Sequence, residues 1–366
     1  MSRWISDEEC EQLPRLPANA GYYDNSLSML CLDVGYILLL ILMNASMIRS
    51  ALSLLGLIIP ALQRRGLTTF LKPEGRNDSQ CLKEMCADII KRKNEADSPV
   101  QLLINPIRPD FKKSSLIAIV GNTLKTPTIL LSPEFLYSAD TLPAELSLTQ
   151  LASNQLTEDE WIFRYEAWLI ENFSKTKPED VKDKFFSSQA QIHERHLHYQ
   201  LMLRYYQTPK AYNNVRYGML AHELSHFYHR DDLKQCFFTL IAQLAIFKFS
   251  SSNSVALCLS IATFFFQKFA QRLIEKRADS WPATLPINND INARLGMKQY
   301  LYGITVLEQK FFEYYPELQM NPSGVIGRLR SIMHGLTESH PSEEERIQAL
   351  SNVKAESSNM AIAATP

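Results

Sequence analysis

The chain has 366 residues, enough for one large domain or two, and its 38 basic against 39 acidic side chains leave a net charge of −1. That balance excludes any advertised affinity for nucleic acid, so none is expected as a partner. Only 12 glycines argue for a helix-rich chain, and six scattered cysteines without a C-x-x-C pair read as reduced thiols in a protein facing the cytosol.

Residues 1–28 are mostly polar and lack a basic leader before an early apolar core, so no cleaved secretory signal is expected. The region 29–66 is apolar. It runs without a charge from Val34 to Ile48 and resumes after Arg49 and Ser50 as far as Leu62. Fifteen residues fall short of the ~20 that cross a bilayer, whereas the whole run suffices at the cost of burying Arg49, about 2.5–3.5 kcal/mol. A span, a hairpin and an in-plane anchor all satisfy this pattern, as does a pair of core helices. Arg64, Arg65, Lys72 and Arg76 follow, which by the positive-inside tendency places the remainder on the cytoplasmic side.

An amphipathic helix is expected from about Gln80 to Asn94. Three short strands follow, Gln101 to Ile104, Leu116 to Val120 and Thr128 to Leu131, the last two separated by Gly121, Asn122 and Pro127. The stretch 132–214 reads as a helical insertion. Thr157 and Glu160 make a capping box, after which Trp161, Tyr165, Trp168 and Leu169 fall on one stripe that is most simply core. A second helix runs from Pro178 toward Tyr206 and carries His193, His196 and His198, which invite a second metal site but sit among charged neighbours on a solvated face. The pair of helices is expected to act as a lid or gating arm.

The chemistry concentrates in Met219 to Arg230, where His222, Glu223 and His226 spell H-E-x-x-H within apolar, helix-compatible flanks. Residues four apart stack on one helical face, so both imidazoles can meet one ion, and Glu223 is close enough to reach a water on it. A catalytic zinc needs three protein ligands and one open position. A histidine six residues beyond His226 is excluded, because Asp232 stands there and His229 takes the place of the usual glycine. A glutamate on a later helix is the other solution, and Phe269 to Asp279 offers Glu275, with Asp279 one turn further to accept a hydrogen bond from a ligand imidazole.

H-E-L-S-H, then E-K-R-A-D, then S-H-P-S-E-E-E-R-I from Ser339 to Ile347 together resemble the membrane-associated gluzincin metallopeptidases, which include HtpX-type heat-shock proteases and CaaX prenyl endopeptidases. The resemblance spans roughly residues 116–350, with 132–214 as its interruption. It implies zinc on His222, His226 and Glu275, Glu223 as general base, and Asp279 hydrogen-bonded to a ligand. It further implies His340 approaching the metal or the oxyanion, and Arg346 as a buried anchor. The fold class expected is α+β, predominantly helical, a zincin-like core with a small sheet beside the motif helix, plus apolar membrane-anchoring helices. The family's Asn-Ala-Phe turn reads Asn122-Thr-Leu here.

Two apolar runs, Cys236 to Phe249 and Val255 to Phe266, are joined by Ser250 to Ser254 and predict a helical hairpin over 236–266 that dips into the membrane or packs on the first anchor. Asn292 to Tyr314 has helical spacing, broken by Asn321 to Gly324. Ser342 and Glu345 form a capping box that opens a helix to Val353, directly after His340 and Pro341. The peptidase domain thus covers 67–353 and a mobile tail 354–366. The expected function is membrane-associated zinc metalloendopeptidase activity on protein or peptide substrates, the catalytic domain facing the cytoplasm. A prenyl endopeptidase is disfavoured by too few apolar segments. A membrane-anchored scaffold with a structural or vestigial zinc site is the competing reading, against which Glu223 argues, since a structural site needs no base.

Overall fold

A computed structural model describes residues 77–106, 117–119, 127–153, 155–173, 189–249, 253–287, 291–316, 325, 328–329, 332 and 340–352. The apolar region 29–66, the Asn122 turn, the start of the helix expected at Pro178, the break at Asn321 to Gly324 and the tail 354–366 lie outside the described residues.

Helix α1, Asn77–Arg92, buries Leu82, Met85, Cys86, Ile89 and Ile90 at the three- and four-residue spacing of an amphipathic face. It ends because Asn94 turns left-handed (φ 54°), which lets Glu95 N–H reach the Ile90 carbonyl at 3.2 Å and Asn94 N–H reach Lys91 at 3.1 Å. Asparagine tolerates that conformation with little penalty, and the two bonds satisfy carbonyls that the helix leaves open.

The three strands form as expected: β1, Gln101–Ile104, β2, Ile117–Ile119, and β3, Thr128–Leu131. Their order is β1-β3-β2, with β1 parallel and β2 antiparallel to β3. Helix α2, Glu158–Phe173, opens on the complete Thr157–Glu160 box (Thr157 N–H to Oε2 2.8 Å, Glu160 N–H to Oγ1 3.2 Å). It buries Trp161, Tyr165 and Leu169 against α3, Gln189–Gln207.

This pair is not a lid. The Tyr165 and Tyr206 hydroxyls meet at 2.7 Å, Tyr206 and Tyr212 both donate to the Glu134 carbonyl (2.9 and 3.1 Å), and Trp161 donates to the Leu146 carbonyl (3.0 Å). Those bonds lie within 132–214, but the buried rings of Trp161, Tyr165, Tyr199, Tyr205 and Tyr206 share one apolar cluster with Val215, Leu220 and Met297, so withdrawing the insertion would expose large rings.

Helix α4, Pro209–Tyr228, is the centre of the molecule and carries H-E-x-x-H. It packs against β2 and α1, and against α5, Asp231–Phe249, α6, Asn253–Thr284, and α7, Ala293–Tyr314. The α4–α7 contact is backbone on backbone. A Cβ placed on Gly296 would stand 1.8 Å from the Asn214 carbonyl oxygen, and one on Gly218 would stand 2.5 Å from that of Ala293. Asn292 caps α7 by accepting from Leu295 N–H (3.0 Å), while its own N–H donates to Asn214 Oδ1 at 2.8 Å.

The apolar hairpin exists as α5 packed on α6, but α6 does not stop at Phe266. It is one helix of 32 residues, about 48 Å long, whose second half bears Glu275 and Asp279. Among the described residues no helix is long and apolar enough to cross a membrane. A last helix, α8, covers 343–352. Its capping box is half made: Ser342 Oγ accepts from Glu345 N–H at 3.2 Å, whereas the Glu345 carboxylate turns to Lys276 Nζ, 3.5 Å away.

Candidate metal centre

The two motif histidines project from the same side of α4, their Nε2 atoms 3.2 Å apart. Helix α6 crosses beneath them and inserts Glu275, whose Oε2 stands 3.3 Å from His222 Nε2 and whose Oε1 stands 3.5 Å from His226 Nε2. Among the described residues, this is the group of three side chains able to share one ion. Zinc bonds of about 2.0–2.1 Å in tetrahedral array set neighbouring donor atoms about 3.3 Å apart, which the observed spacings match, and two imidazoles with one carboxylate are a catalytic donor set with one position left open. The residues fit the ion that their chemistry implies.

Each imidazole is also gripped from behind. His222 Nδ1 lies 2.9 Å from Asp279 Oδ1, and Arg346 clamps that carboxylate with Nε to Oδ2 at 2.8 Å and Nη2 to Oδ1 at 2.7 Å. His226 Nδ1 lies 2.9 Å from Oδ2 of Asp231, a residue that the sequence pattern did not single out. Asp231 is buried at the first position of α5, and its other oxygen contacts Arg277. It sits there because α4 ends at Tyr228 with His229 as its C-cap, and Arg230 then turns left-handed (φ 54°), leading directly into α5. An arginine rarely takes that conformation, so the turn carries no glycine or asparagine signal in the sequence.

His340 comes to the mouth of the site. Its Nδ1 stands 3.3 Å from Glu275 Oε2, while its side chain remains 63% exposed. Arg346 is buried, as expected of an anchor. Glu223, half-buried beside the histidines, and Arg346 both act electrostatically on Tyr300 of α7, whose hydroxyl burial pushes up to about 12.

Electrostatics mark the cluster as built for a cation. Burial alone would lower the His222 pKa, yet hydrogen bonds donated to Asp279 and Glu275 outweigh it and push the ring up to about 9. Burial would raise Glu275, but His222 and His340 hold it far below the usual carboxylate range. Asp279 is likewise lowered against its burial, by Arg346 and then His222. Without metal, a proton on His222 takes over the positive charge that the carboxylates demand.

The three histidines of α3 diverge. His193 packs at a tilt against Tyr314 (centroids 4.1 Å), His196 faces Asp159 (3.4 Å) and His198 faces buried Glu134 (3.7 Å), so no shared ligand site forms. Residues 210–354 match the family model for peptidase family M48. No curated protein and no solved structure matches the chain.

Proposed function

With residues 210–354 belonging to peptidase family M48, the HtpX and CaaX prenyl protease family of gluzincin metallopeptidases, we propose that this chain is a zinc metalloendopeptidase acting on protein or peptide substrates near a membrane. The observation that carries the reading is the convergence of His222, His226 and Glu275 from two helices onto one point. These three would hold zinc, with Glu223 beside the open position.

A zinc ion on these residues would supply a water of pKa lowered toward about 7 and a Lewis acid for the scissile carbonyl. Glu223 then takes the proton of the attacking water and returns it to the leaving amine. His340, at the rim, donates to the oxygen on which charge develops. Strand β2, which packs beside α4 and pairs with β3 on one side only among the described residues, offers its free edge to an extended substrate. Main-chain pairing of this kind tolerates varied side chains.

Membrane proximity is supported by the α5–α6 hairpin. Phe237, Ile241 and Leu244 on α5, and Leu259, Phe266, Phe269 and Leu273 on α6, expose 37–63% of their surface, large apolar side chains at helical spacing along both helices. This face ends two residues before Glu275. Substrate segments emerging from a lipid surface would therefore arrive beside the metal.

The test is metal analysis of purified protein together with cleavage of an unstructured protein substrate. One zinc per chain and a cleavage that Glu223→Gln abolishes are expected. Stoichiometric zinc without any cleavage would favour a scaffold with a vestigial site, and no zinc would remove both readings.

A further inference from the structure

Sequence pattern accounts for one clamp on the ligand histidines but not the other. Asp279 lies one turn beyond Glu275 on the same helix, whereas Asp231 lies on a different element and reaches His226 only because Arg230 adopts a left-handed turn. The two clamps are alike in composition. Each runs imidazole, carboxylate, guanidinium: His222–Asp279–Arg346 and His226–Asp231–Arg277. In each, the aspartate is almost fully buried (3% exposed for Asp279, 2% for Asp231) and its charge is matched by an arginine, so the clamps add no net charge to the pocket.

We propose that Asp231 is a positioning residue for the metal centre: its carboxylate accepts the hydrogen bond from Nδ1–H of His226, and Arg277 holds the carboxylate in place. The inference rests on the reading that His222, His226 and Glu275 bind zinc. A neutral imidazole carries its proton on either nitrogen, and only the Nδ1–H form turns an Nε2 lone pair toward the ion. A carboxylate acceptor 2.9 Å from Nδ1 selects that form and strengthens the nitrogen as a donor. Arg277 lies two residues from Glu275 on α6, so the helix that supplies the third ligand also fixes the orientation of the second. The end of α4 and the second half of α6 are thereby tied on both sides of the metal point.

The experiment measures zinc dissociation constants by chelator competition for the full-length wild type, for Asp231→Asn, and for the double variant Asp231→Ala with Arg277→Ala, which leaves no buried charge unpaired. Cobalt-loaded forms are compared by their visible absorption bands, which report ligand geometry and which a purely structural role would leave unchanged. Zinc binding weaker by about 10–100-fold and shifted cobalt bands are expected in both variants. A wild type that binds zinc alongside either variant binding within twofold of it, with the same cobalt spectrum, overturns the role of Asp231 alone. A wild type that takes up no zinc overturns the proposed function instead.

Discussion

Arg346 and Asp279, 67 residues apart, meet through two parallel hydrogen bonds of 2.8 and 2.7 Å in a buried setting, and this contact joins the helix behind His340 to the helix that bears Glu275. Burial works against the charge of both, but each holds the other ionised. Removing one partner leaves the other charge buried and uncompensated. Arg346→Ala is expected to cost about 3–5 kcal/mol in urea unfolding of the metal-free protein. Arg346→Lys should recover only part, since an ammonium cannot make the planar two-pronged contact. A loss under about 1 kcal/mol for Arg346→Ala, within the range of an ordinary surface pair, would contradict the anchoring role.

Proton and zinc compete for His222. Its folded pKa of about 9 lies above the ordinary 6.5, so the stability it contributes to the metal-free protein is complete below about pH 6.5 and is lost as the pH rises through 9. Thermal midpoints of metal-free protein should fall across that window. Zinc affinity should climb over the same range, because binding must displace the proton, at roughly tenfold per pH unit. Flat affinity between pH 6.5 and 9 would mean that His222 is already neutral before metal arrives.

The backbone contact between α4 and α7 leaves no room at Gly296. Gly296→Ala puts a methyl 1.8 Å from a main-chain oxygen and Gly218→Ala puts one 2.5 Å from another, whereas Gly303→Ala meets the Tyr205 hydroxyl at 2.8 Å and side-chain atoms of Leu201 beyond it. Destabilisation should therefore decrease in the order Gly296, Gly218, Gly303, the first reaching about 3 kcal/mol or more. Equal melting temperatures for all three variants would refute the close approach.

His340→Ala should spare the metal and slow the chemistry. Zinc stoichiometry is expected to match the wild type while kcat falls about 10²-fold or more, the usual cost of removing an oxyanion donor, with KM little changed. Loss of zinc in this variant would instead make His340 a ligand.

The exposed apolar face gives a physical handle on membrane association. Ile241→Glu with Phe266→Glu places charges on α5 and α6 without touching the metal residues. Flotation with lipid vesicles should drop for the double variant, and peptide cleavage in solution should not. Flotation equal to that of the wild type would dissociate this face from lipid binding.

Much of the site is written locally. His222, Glu223 and His226 lie within one turn and a half of a helix, so spacing alone places them, and the strands and the Thr157 cap follow from short-range pattern. Glu275 and Asp279 are legible as a pair for the same reason. What escapes is whatever depends on two distant segments meeting. The insertion reads as a lid in one dimension, yet its aromatic stripe is buried in one apolar cluster with Val215 and Leu220 of α4, and the hairpin reads as separate from the ligand helix although α6 runs through both.

Helical periodicity by itself thus marked His222 and His226 as donors that can share one ion, because atoms four residues apart share a face whatever surrounds them. Which nitrogen His226 presents was decided only in three dimensions. The Asp231 carboxylate reaches His226 through a left-handed arginine that no pattern marks, and the Gly296 backbone must lie against Asn214 for α7 to close over the site. Orientation and close approach are relations between segments, and a linear pattern does not contain them.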